Sequence, residues 1–347
     1  MTTDTMEAVA GRLAALLDGG GERLGGEGHG GLVAEPVVAL AALERGTAPA
    51  EVWAIDGGQA TVADARCVAV VVVRTARARW RLGACVAEEV GPLRTHLLGG
   101  DERRSTLARL AGIGLDLPAD TVVDANLLRD VAEWEALAAT VADAEPGALV
   151  IVDGDLRPDW RIPGAWAARI LDRAAARGVV VVAVTKHSGL ARGGAPLVAA
   201  LEAEAEADPN LGPRARWWAA VAHTAPGVEP ALRVAVARLD PSARFAFRVD
   251  LPSGGSAPRV PPETNPDLPS GGGPVDAVLG ALAAVSDDAA FPGYPYPLSV
   301  VDGLAACPGW VRDDARLALD EHLDRVGVGL VRRERYFADR HRLMERA

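Results

Sequence analysis

A chain of 347 residues, 49% apolar, with a formal net charge of −11, has ample material for a core but no generally basic surface of the kind usual in nucleic-acid binders. A local basic groove stays open, because net charge describes only the whole surface. Cys67, Cys85 and Cys307 are scattered and form no CxxC pair, which excludes a zinc ribbon and suits a reducing cytoplasm; no signal sequence and no run of the roughly 20 apolar residues needed to span a bilayer is seen, so a soluble protein with no membrane partner is expected.

Met6 to Leu17 has helical spacing, Gly19 to Gly31 reads as a Gly-rich loop, and Val33 to Arg45 reads as a second short helix. Glu51 to Asp56 (EVWAID) reads as a short strand ending in Asp-Gly-Gly. Ala65 to Val73, with Cys67 as a small core residue, has the apolar run of a strand buried on both faces. Arg77 to Cys85 alternates, with Arg77, Arg79 and Arg81 on one face; the three strands together suggest an antiparallel meander. Helices are expected at Arg103 to Leu110 and Asp124 to Val141. A short strand follows at Ala148 to Val152, then a helix at Trp166 to Arg177 and a strand at Val179 to Val184 that ends in Thr185-Lys186. Further strands are expected at Leu232 to Leu239 and Phe245 to Leu251. Residues 252–274, rich in Pro, Gly and Ser, read as a mobile loop. Helices follow at Val275 to Val285, Leu298 to Ala306 and Arg312 to Val326. This order predicts an α/β fold: a ribonuclease H-like core with a mixed β-sheet flanked by helices over 49–251, N-terminal helices in 1–48 and a C-terminal helical part in 275–347, all one domain.

The chemistry concentrates at two strands that each end in Asp-Gly, AIDGGQA at Asp56 and VIVDGDL at Asp153. A carboxylate just past a buried strand is costly unless it meets solvent or a cation. Two of them in one sheet suit a hard divalent ion, Mn²⁺ or Mg²⁺, which takes oxygen ligands. The helix between them carries LLRDVAEWEAL, where Arg129 and Glu133 share a face; Glu133 is the candidate third ligand, with Glu135 and Glu51 weaker ones. Lys186, the chain's one lysine, ends a buried strand in VTKHSGL and suits a phosphate. FPGYPYPLSVVDGLA sets Tyr294 in a rigid turn and Asp302 in the helix after it. An ordinary turn after a strand, a surface ion pair and a good helix entry remain the plain alternatives for these features.

The ordered set AIDGG, an Arg-and-Glu helix, VIVDGDL, VTKHSGL, FRVDLP and GYPYPL resembles the NurA family of nucleases, which act with a hexameric HerA-type ATPase in resecting DNA ends. The resemblance implies a homodimer that cleaves DNA with Mn²⁺, with Asp56, Glu133 and Asp153 as metal ligands and Tyr294 as the family tyrosine. Where the family usually has His, this chain has Asp302, which can ligate a hard cation but removes a group that titrates near neutral pH. Lys186 and Arg248 are expected to offset phosphate charge, and Arg77, Arg79 and Arg81 to line a DNA path. The alternatives are a non-catalytic relative that docks DNA or the ATPase, and an actin-like ATPase suggested by AIDGGQAT.

Overall fold

The computed structural model describes residues 5–18, 24–26, 30–212, 214–253 and 274–337. Helix α1 (Met6–Asp18) and strand β1 (Leu24–Gly26) lead into β2 (Leu32–Ala34) and β3 (Ala41–Ala42). The helix expected over Val33 to Arg45 is absent: both short strands pair antiparallel with a later strand, so their hydrogen bonds are non-local and Pro36 interrupts nothing. β1 likewise falls inside the expected Gly19 to Gly31 loop. Most of the Pro-rich stretch 252–274 and the end of the C-terminal tail lie outside the described residues.

Four strands follow in a row: β4 (Glu51–Asp64), β5 (Val68–Arg81), β6 (Ala84–Val90) and β7 (Arg94–Gly99). The two strands expected between Ala65 and Cys85 are largely one, β5, which pairs with β4 along its whole length. Cys67 is exposed in the β4–β5 connection rather than in the core. Helices α2 (Glu102–Gly112) and α3 (Ala125–Asp143) come next, the latter capped by the Asp124 carboxylate on the Leu127 amide. Then come β8 (Leu149–Asp153), α4 (Gly164–Ala176) and β9 (Val180–Thr185), with β8 parallel to both β4 and β9. β10 (Leu190–Arg192), β11 (Ala195–Pro196) and α5 (Leu197–Ala207) precede the meander β12 (Trp217–Thr224), β13 (Leu232–Arg238) and β14 (Phe247–Pro252). Helices α6 (Pro274–Ala283), α7 (Tyr296–Ala305), α8 (Gly309–Arg325) and α9 (Leu330–Phe337) complete the chain.

One mixed sheet organises these elements, in the order β2-β12-β13-β14-β9-β8-β4-β5-β6, with β3 on β12 and β7 on β5. Strand alternation gives it two apolar faces. Trp53, Ile55, Val150 and Val152 face α3 and α4, burying Leu127, Val131, Trp134 and Ile170. Val52, Ala54, Ile151 and Val182 face α6 and α7, burying Leu279, Leu282, Leu298 and Val301. Each Val, Leu or Ile among them contributes about 1.5–3 kcal/mol on full burial, so the central strands are clamped from both sides. The fold is mixed α/β, a large mixed sheet flanked by helices. No helix among the described residues is long and apolar enough to cross a membrane.

Candidate metal centre

Parallel pairing aligns Ile55 of β4 with Val152 of β8, which sets Asp56 beside Asp153 on the face that α7 covers. Asp153 closes β8, as expected. Asp56 does not end a strand: β4 runs on through Gly57 and Gly58, which pair with Thr75 and Arg74. The double glycine therefore serves close approach and not a turn. A Cβ on Gly57 would stand 2.5 Å from Glu133 Oε1 on the α3 side. One on Gly58 would overlap the Ala305 carbonyl oxygen at the C-terminus of α7, on the other side. Arg74 donates to the carbonyls of Ala305 and Ala306 and so fixes that helix end over the sheet.

Helix α7 brings the third carboxylate. One oxygen each of Asp56, Asp153 and Asp302 lie within 4.8 Å of one another. Lys186, directly after β9, places Nζ 2.7 Å from both Asp153 Oδ2 and Asp302 Oδ1. Glu133 is not in this triad; its carboxylate sits across Gly57, 3.4 Å from Arg129 Nε. The four carboxyls nevertheless act on one another. Burial, reinforced by Asp153, lifts the Asp56 carboxyl to about 7 against the pull of the Gly57 amide, which donates to Oδ1 at 2.7 Å. Burial also holds Glu133 well above the carboxylate range, with Arg129 opposing and Asp130, Asp56 and Asp153 adding to it. Burial lowers the Lys186 ammonium, but its bonds to Asp153 and Asp302 outweigh that and raise it overall.

Tyr294 packs its ring under Lys186, with Nζ 5.4 Å from the ring centroid, and is 6% exposed. Its hydroxyl is buried towards Asp153, short of a well-formed hydrogen bond. Burial, then the charges of Asp153, Asp56 and Asp302, push the phenol far above its usual range, so it stays protonated. Asp302 stands in α7, as expected, with its side chain 56% exposed.

The arginines lie elsewhere. Arg77 pairs across the strands with Ile55, so it points to the α3 face, away from Asp56. Arg77 bonds to Glu89 and Asp143 at 2.7 Å each, Arg79 to buried Glu51, and Arg81 to Glu145. Arg77 and Arg79 also stack over Trp53 at 5.3 and 5.2 Å. Arg248 is 2% exposed, its Nε and Nη2 each 2.8 Å from an oxygen of the fully buried Asp250, so its guanidinium is not open to a phosphate. No local pattern signals the roles of Gly58 and Arg74, because both depend on the end of α7 arriving from far along the chain.

No family model and no curated protein matches the sequence. Among solved structures, the chain is similar to the NurA nuclease from Sulfolobus solfataricus at 13% identity and a TM-score of 0.53, covering 92% of this chain and 94% of that one. Human endonuclease V aligns at 13% identity and a TM-score of 0.38, over 90% of this chain and 100% of that one. Endonuclease V of Ciona intestinalis in complex with DNA aligns at 9% identity and a TM-score of 0.40, over 91% of this chain and 100% of that one. The chain has a NurA-like fold.

Proposed function

We propose that this chain is a divalent-metal-dependent nuclease that hydrolyses phosphodiester bonds in DNA, with Mn²⁺ or Mg²⁺ held by Asp56, Asp153 and Asp302 and with Glu133 completing the acidic site. The convergence of three carboxylates within 4.8 Å on a NurA-like fold carries this reading. The donor set fits the ion: every candidate ligand atom is a carboxylate oxygen, the choice of hard divalent cations. The charge balance fits too. Three carboxylates face one ammonium, and the Asp56 carboxyl is lifted first by burial and then by the neighbouring Asp153 charge.

When bound, the cation supplies polarisation of the phosphate and acidification of water. The protein's own groups do the rest. Gly57 and Gly58 let Glu133 and the end of α7 close on the strand just past Asp56 from opposite faces. Lys186 holds Asp153 and Asp302 at a fixed separation and offers its ammonium to a phosphate oxygen. Tyr294 keeps its proton and positions Lys186 from below.

The meander β4-β5-β6 followed by parallel β8 and β9 supports a ribonuclease H-like core within a single domain. A homodimer, a hexameric HerA-type ATPase partner and a part in DNA-end resection belong to the proposal on family resemblance. The test is cleavage of labelled linear DNA with Mn²⁺, Mg²⁺ or EDTA. Cleavage that needs the metal and is lost in Asp153→Asn is expected; wild-type protein that binds DNA but cuts it with neither ion favours a docking protein instead.

A further inference from the structure

Beside the carboxylates opens a cleft of about 550 Å³ whose wall is shared with the metal centre: Lys186, Tyr294 and Asp302 line both. Its other side is aromatic. Phe245 is 55% and Phe291 63% exposed, unusual for phenylalanine, and both line the cleft. Phe247 forms the inner surface with Tyr294, ring centroids 5.4 Å apart. Exposed Arg244 lays its guanidinium 5.1 Å from the Phe245 ring centroid.

The two phenylalanines are placed by one contact. Gly293, at φ +87°, lies so near Ala243 that a Cβ there would meet the Ala243 Cβ at 2.5 Å. Phe245 and Phe291 each stand two residues from this contact, on the loops it brings together. The Gly293 amide also donates to the Ser286 carbonyl at 2.8 Å, tying its loop to the end of α6. Two exposed rings, with a guanidinium on one of them and the Lys186 ammonium on the Tyr294 ring of the same cleft, present flat apolar faces and positive charge in the same opening.

We propose that this cleft is a base-stacking subsite that takes the unstacked base of the nucleotide adjoining the bond to be cut. Phe245 and Phe291 supply the stacking faces, Arg244 adds its cation, and Lys186 meets the phosphate on the side of Asp153 and Asp302. This rests on the nuclease reading, but its test does not need cleavage.

Anisotropy with Ca²⁺ in place of Mn²⁺ should compare three labelled probes: a thymidine oligonucleotide, a strand of equal length made only of abasic sites, and a blunt duplex. Wild type should bind the thymidine strand at least roughly 10-fold more tightly than the abasic strand. The double variant Phe245→Ala/Phe291→Ala, which alters exposed side chains only, should lose that preference while binding the abasic strand as wild type does. Phe291→Trp should keep it. Equal binding of both strands by wild type, or a preference that survives the double variant, overturns the subsite. A wild-type protein that shows the preference but never cuts in Mn²⁺ keeps the subsite and fails the nuclease reading; one that cuts in Mn²⁺ without the preference does the reverse.

Discussion

Glu133 on α3 lies over the backbone of Gly57 so closely that its Oε1, Cγ and Cδ would all be within 3 Å of a methyl group there. Gly57→Ala must therefore swing the Glu133 side chain off the sheet, at a cost of about 1–2 kcal/mol. Cleavage in Mn²⁺ should fall much further than stability. Gly58→Ala meets backbone at Ala305 and should lower the melting temperature more than Gly57→Ala does. Thermal melts and DNA cleavage on the two variants check the contrast; equal effects of both on stability would contradict it.

Asp56→Asn removes a buried carboxylate from beside Asp153 while keeping its shape. In EDTA at pH 8 the variant should melt higher than wild type, by about 1 kcal/mol or more. Adding Mn²⁺ should stabilise wild type and leave the variant nearly unmoved, and the variant should not cut. Scanning calorimetry with and without metal decides this. A variant stabilised by Mn²⁺ as strongly as wild type places the ion elsewhere.

Lys186→Ala takes the ammonium out of the carboxylate group. Metal affinity should rise, because the competing cation is gone, while cleavage at saturating Mn²⁺ should drop by roughly 10–100-fold from the lost phosphate contact. Lys186→Arg should not restore activity, since a planar fork does not fit where a compact ammonium bridges two oxygens. Mn²⁺ titration of the cleavage rate separates these effects.

Arg79→Ala leaves Glu51, 4% exposed, without its guanidinium. A loss of about 3 kcal/mol is expected in urea unfolding, the scale of breaking a largely buried pair. Because Arg77, Arg79 and Arg81 face away from Asp56 and meet Glu51, Glu89, Asp143 and Glu145, their joint neutralisation should leave the salt slope of DNA binding unchanged. A slope reduced by about 3 would put the DNA on that face.

Burial lifts the Asp130 carboxyl to about 6, with the Asp159 and Asp155 charges adding and the Asp159 amide, 2.6 Å from Oδ2, opposing. Between its ordinary 3.8 and about 6 the unfolded chain has released this proton and the folded chain keeps it. Stability from this group thus falls as pH rises through that window and is level above it. Asp130→Asn should flatten the fall between pH 4 and 6 by up to about 3 kcal/mol. Urea melts across that range that superimpose for both proteins would refute it.

Much of the fold could be read from residue order. The apolar runs at Val150 and Val182 and the spacing of Leu127, Val131 and Trp134 marked strands and helices whose partners are near in sequence or whose burial is complete. Val33 to Arg45 was misread because an edge strand takes its hydrogen bonds from β12, almost two hundred residues away, and leaves no local signature. Asp56 and Asp153 were visible as acids beside apolar runs, and Asp302 by its place after the Tyr-Pro turn. That Asp56 sits in mid-strand was not visible, because Asp-Gly-Gly is a turn signal until helices on both faces are known to crowd it. The arginine stripe is legible as one shared face, but alternation tells nothing of what waits there, which is Glu51, Glu89, Asp143 and Glu145.

The seat of α7 on Gly58 also sets an order of events. Asp56 and Asp153 are synthesised early, yet Asp302 and the helix end that roofs them arrive only after all the strands of the sheet have left the ribosome. A nascent chain halted before α7 has its acids on an uncovered apolar face and lacks the third carboxylate. The acidic triad is thereby withheld until the sheet is complete, and an incompletely made protein carries only two of its three carboxylates.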